Sequence, residues 1–277
     1  MSRTSYTSEI ESLAPNQVTT DPDVNTRPVD RAWVARKLRE GFDVKRLGVP
    51  QVSARADGTY VWLDGQNRGA LCGAAERGEI KIKVKVFRGL SKAEEAELFL
   101  GLNDNRRVQP IYKFIAEVTA GRSEALEITR IASAVGWKIS DGGGISAVAA
   151  LRAVYRLSPE PGVTLKSVLE IASEAWGRTA ESVNAYVILG IAAVLTECPY
   201  LNRNVLVKKL AKFPGGPSSL VGKGKGFREA TGSTVAQGID QVIRQTYNAG
   251  RRGGKLPTWA DRVPSQHAGQ ASMLVDD

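Results

Sequence analysis

The stretch VWLDGQNRGALCGAA, residues 61 to 75, changes character in its middle. Tyr60, Val61, Trp62 and Leu63 are aromatic, β-branched or aliphatic and read as a strand. Gly69 to Ala75 is a run of small and apolar residues that reads as a helix. Five polar or permissive residues fill the joint: Asp64, Gly65, Gln66, Asn67 and Arg68. A helix that starts there presents its unpaired first amides, which suit an anion. Gly65 permits a sharp turn, and Arg68 adds a planar fork of donors that matches phosphate oxygens. Gln66 and Asn67 can both donate and accept, and Asp64 can hold a metal ion or position the loop. Two readings stay open: an anion site for nucleotide phosphates, or a turn closed by its own side chains with Arg68 paired to Asp64.

Upstream, VPQVSAR (49–55) reads as a strand, and Asp57-Gly58 as the hairpin turn that returns the chain into Tyr60. Trp33, Val34, Leu38 and Phe42 recur at helical spacing, with Gly41 as a stop. Residues 1–24 are polar and are expected to be flexible. Downstream, Ile80, Ile82, Val84 and Val86 alternate with Lys81, Lys83 and Lys85, the clearest strand in the chain. That lysine row reads as a solvated sheet face or a charged edge that resists aggregation. Ser91 with Glu94 forms a capping box for a helix bearing Leu98, Phe99 and Leu102. A second polar run follows, Asn103-Asp104-Asn105-Arg106-Arg107, and then Pro110.

From Ile111 onward the periodicity is helical only, over 111–120, 123–137, 145–157, 164–176, 182–196, 204–213 and 234–250. The chain is therefore expected to be α+β: a small mixed sheet with helices over 25–112, then an all-α domain over 113–250. A basic arm and disordered tail complete it over 251–277. Ala185 to Leu195 is too short to span a bilayer, which takes about 20 apolar residues, and reads as a buried core helix.

The 277 residues carry 38 Lys and Arg against 29 Asp and Glu, a formal charge of +9, which points to a polyanionic partner, nucleic acid first. The sole histidine, His267, lies in the tail, so the body has none for a Ser-His-Asp triad or a His-ligated metal. Cys72 and Cys198 are too few and too far apart for a disulfide scaffold or cysteine-rich zinc site, and fit a reducing cytoplasm. Three cationic groups are candidates for a DNA backbone: Lys208, Lys209 and Lys212; Lys223, Lys225 and Arg228; and Arg244, Arg251, Arg252 and Lys255. GKGKGF (222–227) follows no strand and is expected to be a flexible basic loop rather than a phosphate loop. Residues 126–156 have the outline of a helix-turn-helix. Their second helix is mostly Ala, Val and Leu, which favours a packed hairpin.

Three pieces together carry a family resemblance: Asn25-Thr26-Arg27-Pro28, Asp64 to Arg68, and Leu102 to Arg107 before Pro110. Their order resembles the ParB/sulfiredoxin-like superfamily, nearest to ParB-like proteins of phages and mobile elements with an Asp-Gly-Gln-His-Arg motif. The resemblance covers about residues 25–112. It implies a nucleotide pocket formed by Asp64, Gly65, Gln66, Asn67 and Arg68 with Asn103, Asn105, Arg106 and Arg107. It implies CTP or ATP with Mg2+, the ion on Asp64 or Glu97. It further implies DNA and a second copy of the chain as partners, in the cytoplasm of a bacterial host. Gln66 and Asn67 stand where ParB has Glu and Arg, and Asn67 where the narrower motif has His. An amide cannot transfer a proton near neutral pH, so any hydrolysis is expected to be slow. Sulfiredoxin chemistry needs a cysteine within the motif, whereas Cys72 lies beyond it in an apolar helix. Two alternatives remain: a metal-dependent nuclease or nucleotide-dependent DNA-modification enzyme on the same fold, and a non-catalytic interaction protein with a decayed pocket.

Overall fold

A computed structural model describes residues 6–103, 108–157 and 160–262, in two units that divide after Leu126. The first is built on a five-stranded mixed sheet: β1 (Thr7–Leu13), β2 (Val18–Thr19), β3 (Gln51–Ala54), β4 (Tyr60–Asp64) and β5 (Ile82–Arg88), in the order β1-β5-β3-β4-β2. The hairpin expected at Asp57-Gly58 joins antiparallel β3 and β4, with Gly58 at φ +83° and Asp57 accepting from the Thr59 amide.

The N-terminal segment departs from expectation. Its described residues, 6–24, supply two strands, and β1 pairs with β5 over seven positions, from Thr7 opposite Arg88 to Leu13 opposite Ile82. β1 is an outermost strand whose side chains are mostly exposed. Ladder hydrogen bonds hold it, and these leave no apolar signature in the sequence. The pairing also makes β5 an inner strand, so its lysine row is a face and not an edge.

One face of the sheet, with Val52, Trp62, Val84 and Val86, packs beneath α1 (Arg31–Arg39) and α2 (Gln66–Ala74). The other buries Val24, Leu63 and Phe87 against Leu90 and against Leu98 and Leu102 of α3 (Lys92–Leu102). The Ser91–Glu94 capping box opens α3 as expected. Phe99 and Leu100 of α3 then meet Ala116 of α4 (Pro110–Thr119). α5 (Ser123–Ala134) contains the division between the units.

The second unit is helical: α6 (Val148–Tyr155), α7 (Val163–Trp176), α8 (Ala185–Glu197), α9 (Arg203–Ala211), α10 (Gly216–Thr231), α11 (Val235–Asn248) and α12 (Trp259–Arg262). The apolar α8 is core, with Val187, Ile188, Ile191 and Val194 fully buried. α6 buries Val148, Leu151 and Val154, as a packed helix does.

Two expectations are corrected here. GKGKGF is not a loop but the middle of α10. A Cβ at Gly224 would lie 2.6 Å from Ile239 Cγ1 and 3.0 Å from the Val235 carbonyl. Glycine at that position lets α10 and α11 approach closely, and the packing outweighs low helix propensity. The arm after residue 250 is not loose either. Asn248 accepts from the Leu256 amide and donates to the Leu256 carbonyl, both at 2.8 Å, and Leu256 is buried. Trp259 meets Phe227 edge-on at 5.5 Å. The tail proper lies outside the described residues, among which no helix is long and apolar enough to cross a membrane.

Candidate functional site

β4 ends at Asp64 and α2 starts at Gln66, with Gly65 between them at φ +107°. Only glycine suits that joint, because a Cβ would lie 2.6 Å from Pro50 Cβ in a left-handed backbone. No side chain caps α2. The start of α2 borders a cavity of about 380 Å3, whose lining includes all five residues of the joint with Asn25, Arg27, Asp30, Trp33 and Asn103. The three sequence boxes therefore converge on one space.

Each polar residue of the joint has a defined task. Arg68 Nη2 donates to Asp64 Oδ2 at 2.5 Å, and Nη1 donates to the Leu47 carbonyl at 2.8 Å. The self-closed turn and the cavity thus coexist. Gln66, only 6% exposed, donates through Nε2 to the Arg27 carbonyl at 2.5 Å. That bond fixes the orientation of the amide, since a flip would set two oxygens against each other. Its Oε1 is buried without a partner. Asn67 Oδ1 accepts from the Asp30 amide at 2.8 Å, tying the entry of α1 to the start of α2. Asp30 in turn caps α1, accepting from the Trp33 amide at 2.8 Å.

The walls are held by amides. Asn25 Nδ2 donates to the Trp62 carbonyl at 3.2 Å, and Asn103 Nδ2 to the Phe99 carbonyl at 2.8 Å, both residues being buried. Asn103 thus lines the cavity, with its amide acting as a brace. Asn105, Arg106 and Arg107 lie outside the described residues.

Sequence reasoning did not count Arg27 among the binding residues, although it stands in the first box. It lines the cavity, and its guanidinium has no partner among the described residues. Glu97, the alternative metal ligand, lies elsewhere: it accepts from Arg122 at 2.9 and 3.0 Å and does not line the cavity. Among the described residues no three His, Cys, Asp or Glu side chains gather as a metal site. Cys72 is buried in α2, and burial pushes its thiol pKa up, the opposite of a reactive thiolate.

The second unit concentrates charge. Residues 203–255 carry eleven Lys and Arg against two Asp and Glu, a surplus of nine that equals the formal charge of the whole chain. Lys208 and Lys209 fall in the last turn of α9, where Lys209 donates to the Ala249 carbonyl beyond α11. Lys223 sits 5.1 Å from the centroid of the Phe213 ring, and Phe213 follows Lys212 directly in the chain. Arg251 stacks over Tyr247 at 4.5 Å, and Lys225, Arg228 and Arg252 are exposed. Packing thereby brings the three cationic groups next to one another. Arg244 is a correction. It is 0% exposed, donating to Asp240 at 2.7 Å, Glu197 at 2.8 Å and the Pro257 carbonyl at 3.0 Å. It is a structural hub and cannot reach DNA.

No family model and no curated protein matches the chain. Among solved structures, one crystal form of a pNOB8-like ParB N-domain is similar at 14% identity and a TM-score of 0.38, covering 78% of this chain and 93% of that one. Another pNOB8-like ParB N-domain is similar at 15% identity and 0.41, covering 90% and 97%. At these values the likeness carries no residue-level correspondence.

Proposed function

We propose that this is a ParB-like, DNA-associated protein. Its α/β unit would bind nucleotide phosphates at the joint from Asp64 to Arg68, and the cations of residues 203–255 would hold a DNA backbone. One observation supports the first part above others: the uncapped start of α2 and Arg27 line one cavity of about 380 Å3. That size lies within the range of small-molecule sites, about 300–1,000 Å3. A helix start carries roughly half a positive charge, which favours an anion there. Arg68 is a second phosphate donor once it turns from Asp64.

The donor set also suits a nucleotide with Mg2+, CTP or ATP being the candidates. Magnesium is usually held by one or two carboxylates, water and the substrate's own phosphates. Asp64 and Asp30 are the carboxylates of the cavity, and Asp64, whose oxygen already meets a cation, is the better placed. Bound Mg2+ would neutralise phosphate charge. Asn67 has its oxygen engaged by Asp30 and cannot shuttle a proton, so binding with slow turnover at most fits these residues better than rapid hydrolysis.

Calorimetry with CTP, ATP and GTP, each with and without Mg2+, tests the pocket. Binding that disappears in Arg27→Ala supports it, and no heat with any nucleotide overturns it. Mobility shifts with duplex DNA test the second unit. Neutralising Lys208, Lys209 and Lys212 should flatten the salt dependence by about 0.9 for each phosphate that these lysines neutralise. The Arg68–Asp64 pair favours one other reading, an interaction protein whose pocket has closed on itself. The same calorimetry separates the two.

A further inference from the structure

With β1 paired to it, β5 is an inner strand, so protection of a sheet edge does not explain Lys83 and Lys85. Their neighbours across the ladder are uncharged: Ser12 opposite Lys83, and Ile10 opposite Lys85. The acids of β1 alternate onto the other face, where Glu9 and Glu11 both accept from Arg88. Lys81, Lys83 and Lys85 have no carboxylate partner among the described residues. The same face carries two large exposed side chains, Tyr6 at 53% and Ile10 at 57%. Tyr6 lies 5.9 Å from the Phe87 ring, and Lys85 Nζ lies 4.9 Å from it.

We infer that this face is a second nucleic-acid surface and that it takes a single strand. Alternate residues of a strand stand about 7 Å apart, comparable with one nucleotide step of an extended chain. Lys83 and Lys85 on β5, with Lys81 one residue ahead of the strand, give three uncompensated ammonium groups to match successive phosphates. Tyr6 offers a ring on which an unpaired base can stack, whereas a duplex keeps its base faces to itself. Segregation of the β1 carboxylates to the opposite face leaves the row uniformly positive. This surface is independent of the cavity and of the cations in residues 203–255.

The test uses the full chain, a labelled oligothymidylate and a duplex of equal length, read by fluorescence anisotropy over a salt series. Neutralising the row (Lys81→Gln, Lys83→Gln, Lys85→Gln together) should weaken single-strand binding about tenfold. The slope of log K against log salt should flatten by about 2, from roughly 0.7 for each neutralised phosphate of a single strand. Duplex binding should not change. Tyr6→Ala should weaken single-strand binding with the slope unchanged, the signature of stacking. A companion variant, Lys208→Gln, Lys209→Gln, Lys212→Gln, should do the reverse and lose the duplex. Single-strand binding by the row variant that equals the parent in strength and slope overturns the inference while leaving the DNA role of the second unit standing. Equal losses on single strand and duplex also overturn it, by marking a general cationic surface. So does row-dependent capture by phosphatidylserine vesicles without single-strand binding. Absence of any nucleic-acid binding by the parent overturns both.

Discussion

Arg68 and Asp64 are joined across one turn, Nη2 to Oδ2 at 2.5 Å, inside the wall of the cavity they would serve. The pair is a competitor for any phosphate, because the guanidinium nitrogens that would grip an anion already donate to Asp64 and to Leu47. Releasing Arg68 should therefore strengthen anion binding. In Asp64→Asn without Mg2+, affinity for a nucleoside triphosphate is expected to rise about tenfold, ~1.4 kcal/mol. With Mg2+ present the sign should reverse, since the variant has lost a metal carboxylate. Calorimetry on parent and variant under both conditions checks this. A variant that behaves alike with and without the ion would remove Asp64 from any metal role.

The glycines of α10 separate two kinds of position within one run. Gly222 and Gly226 are exposed, and a Cβ at either would meet nothing within 4 Å. Each should gain about 0.5–1 kcal/mol on replacement by Ala, the ordinary difference in a helix interior. Gly224→Ala should instead cost about 1–3 kcal/mol, because the added carbon overpacks the contact with Ile239 and the Val235 carbonyl. Thermal unfolding of the three single variants should give two raised midpoints and one lowered. Were the run a loop, all three would respond alike.

The contrast explains what the sequence made legible. The strand, joint and helix from Tyr60 to Ala74 were readable because alternation, a glycine turn and a run of small residues are local signals. The three boxes could be recognised as a set, and they do share a cavity. β1 was not readable, since TSEIESL turns Ile10 outward and its acids toward Arg88, and its main-chain pairing has no compositional trace. The helix through GKGKGF depends on a partner, Ile239, that packs against it from the next helix. Arg244 looked like one more surface cation. Its one local clue was Asp240 four residues earlier; burial came from Glu197 and Pro257, which only the packed unit brings close.

Arg244 should be among the most sensitive positions of the helical unit. Replacing it with Met would remove the guanidinium that faces the buried carboxylate of Asp240, 2% exposed. Breaking one side of such a pair costs about 3–5 kcal/mol, while replacing both sides with apolar residues often costs far less. Arg244→Met alone should lower the urea midpoint strongly, and Arg244→Met with Asp240→Leu should recover much of the loss. A double variant no more stable than the single one would show that the guanidinium's other bonds, to Glu197 and Pro257, carry the effect.

Acid should act on the first unit through Asp21. Arg55 Nη2 bridges Asp21 at 2.8 Å and the buried Glu95 at 2.5 Å, with Lys92 3.3 Å from Asp21. Burial pushes the Asp21 pKa up. The Arg55 bond, the Asp23 amide and Lys92 overcome this and hold it below the usual value. Arg55 is itself pushed further up, chiefly by Glu95, and stays charged throughout. A carboxyl with a depressed folded pKa contributes stability above its unfolded value, about 3.9 for Asp, and loses it as pH falls through the folded value. Asp21→Asn should therefore be less stable than the parent at neutral pH, and the gap should close as pH drops below about 4. Urea midpoints measured from neutral pH into this range check the prediction. A gap that stays constant with pH would mean that Asp21 contributes by shape and neutral hydrogen bonding rather than by its charge.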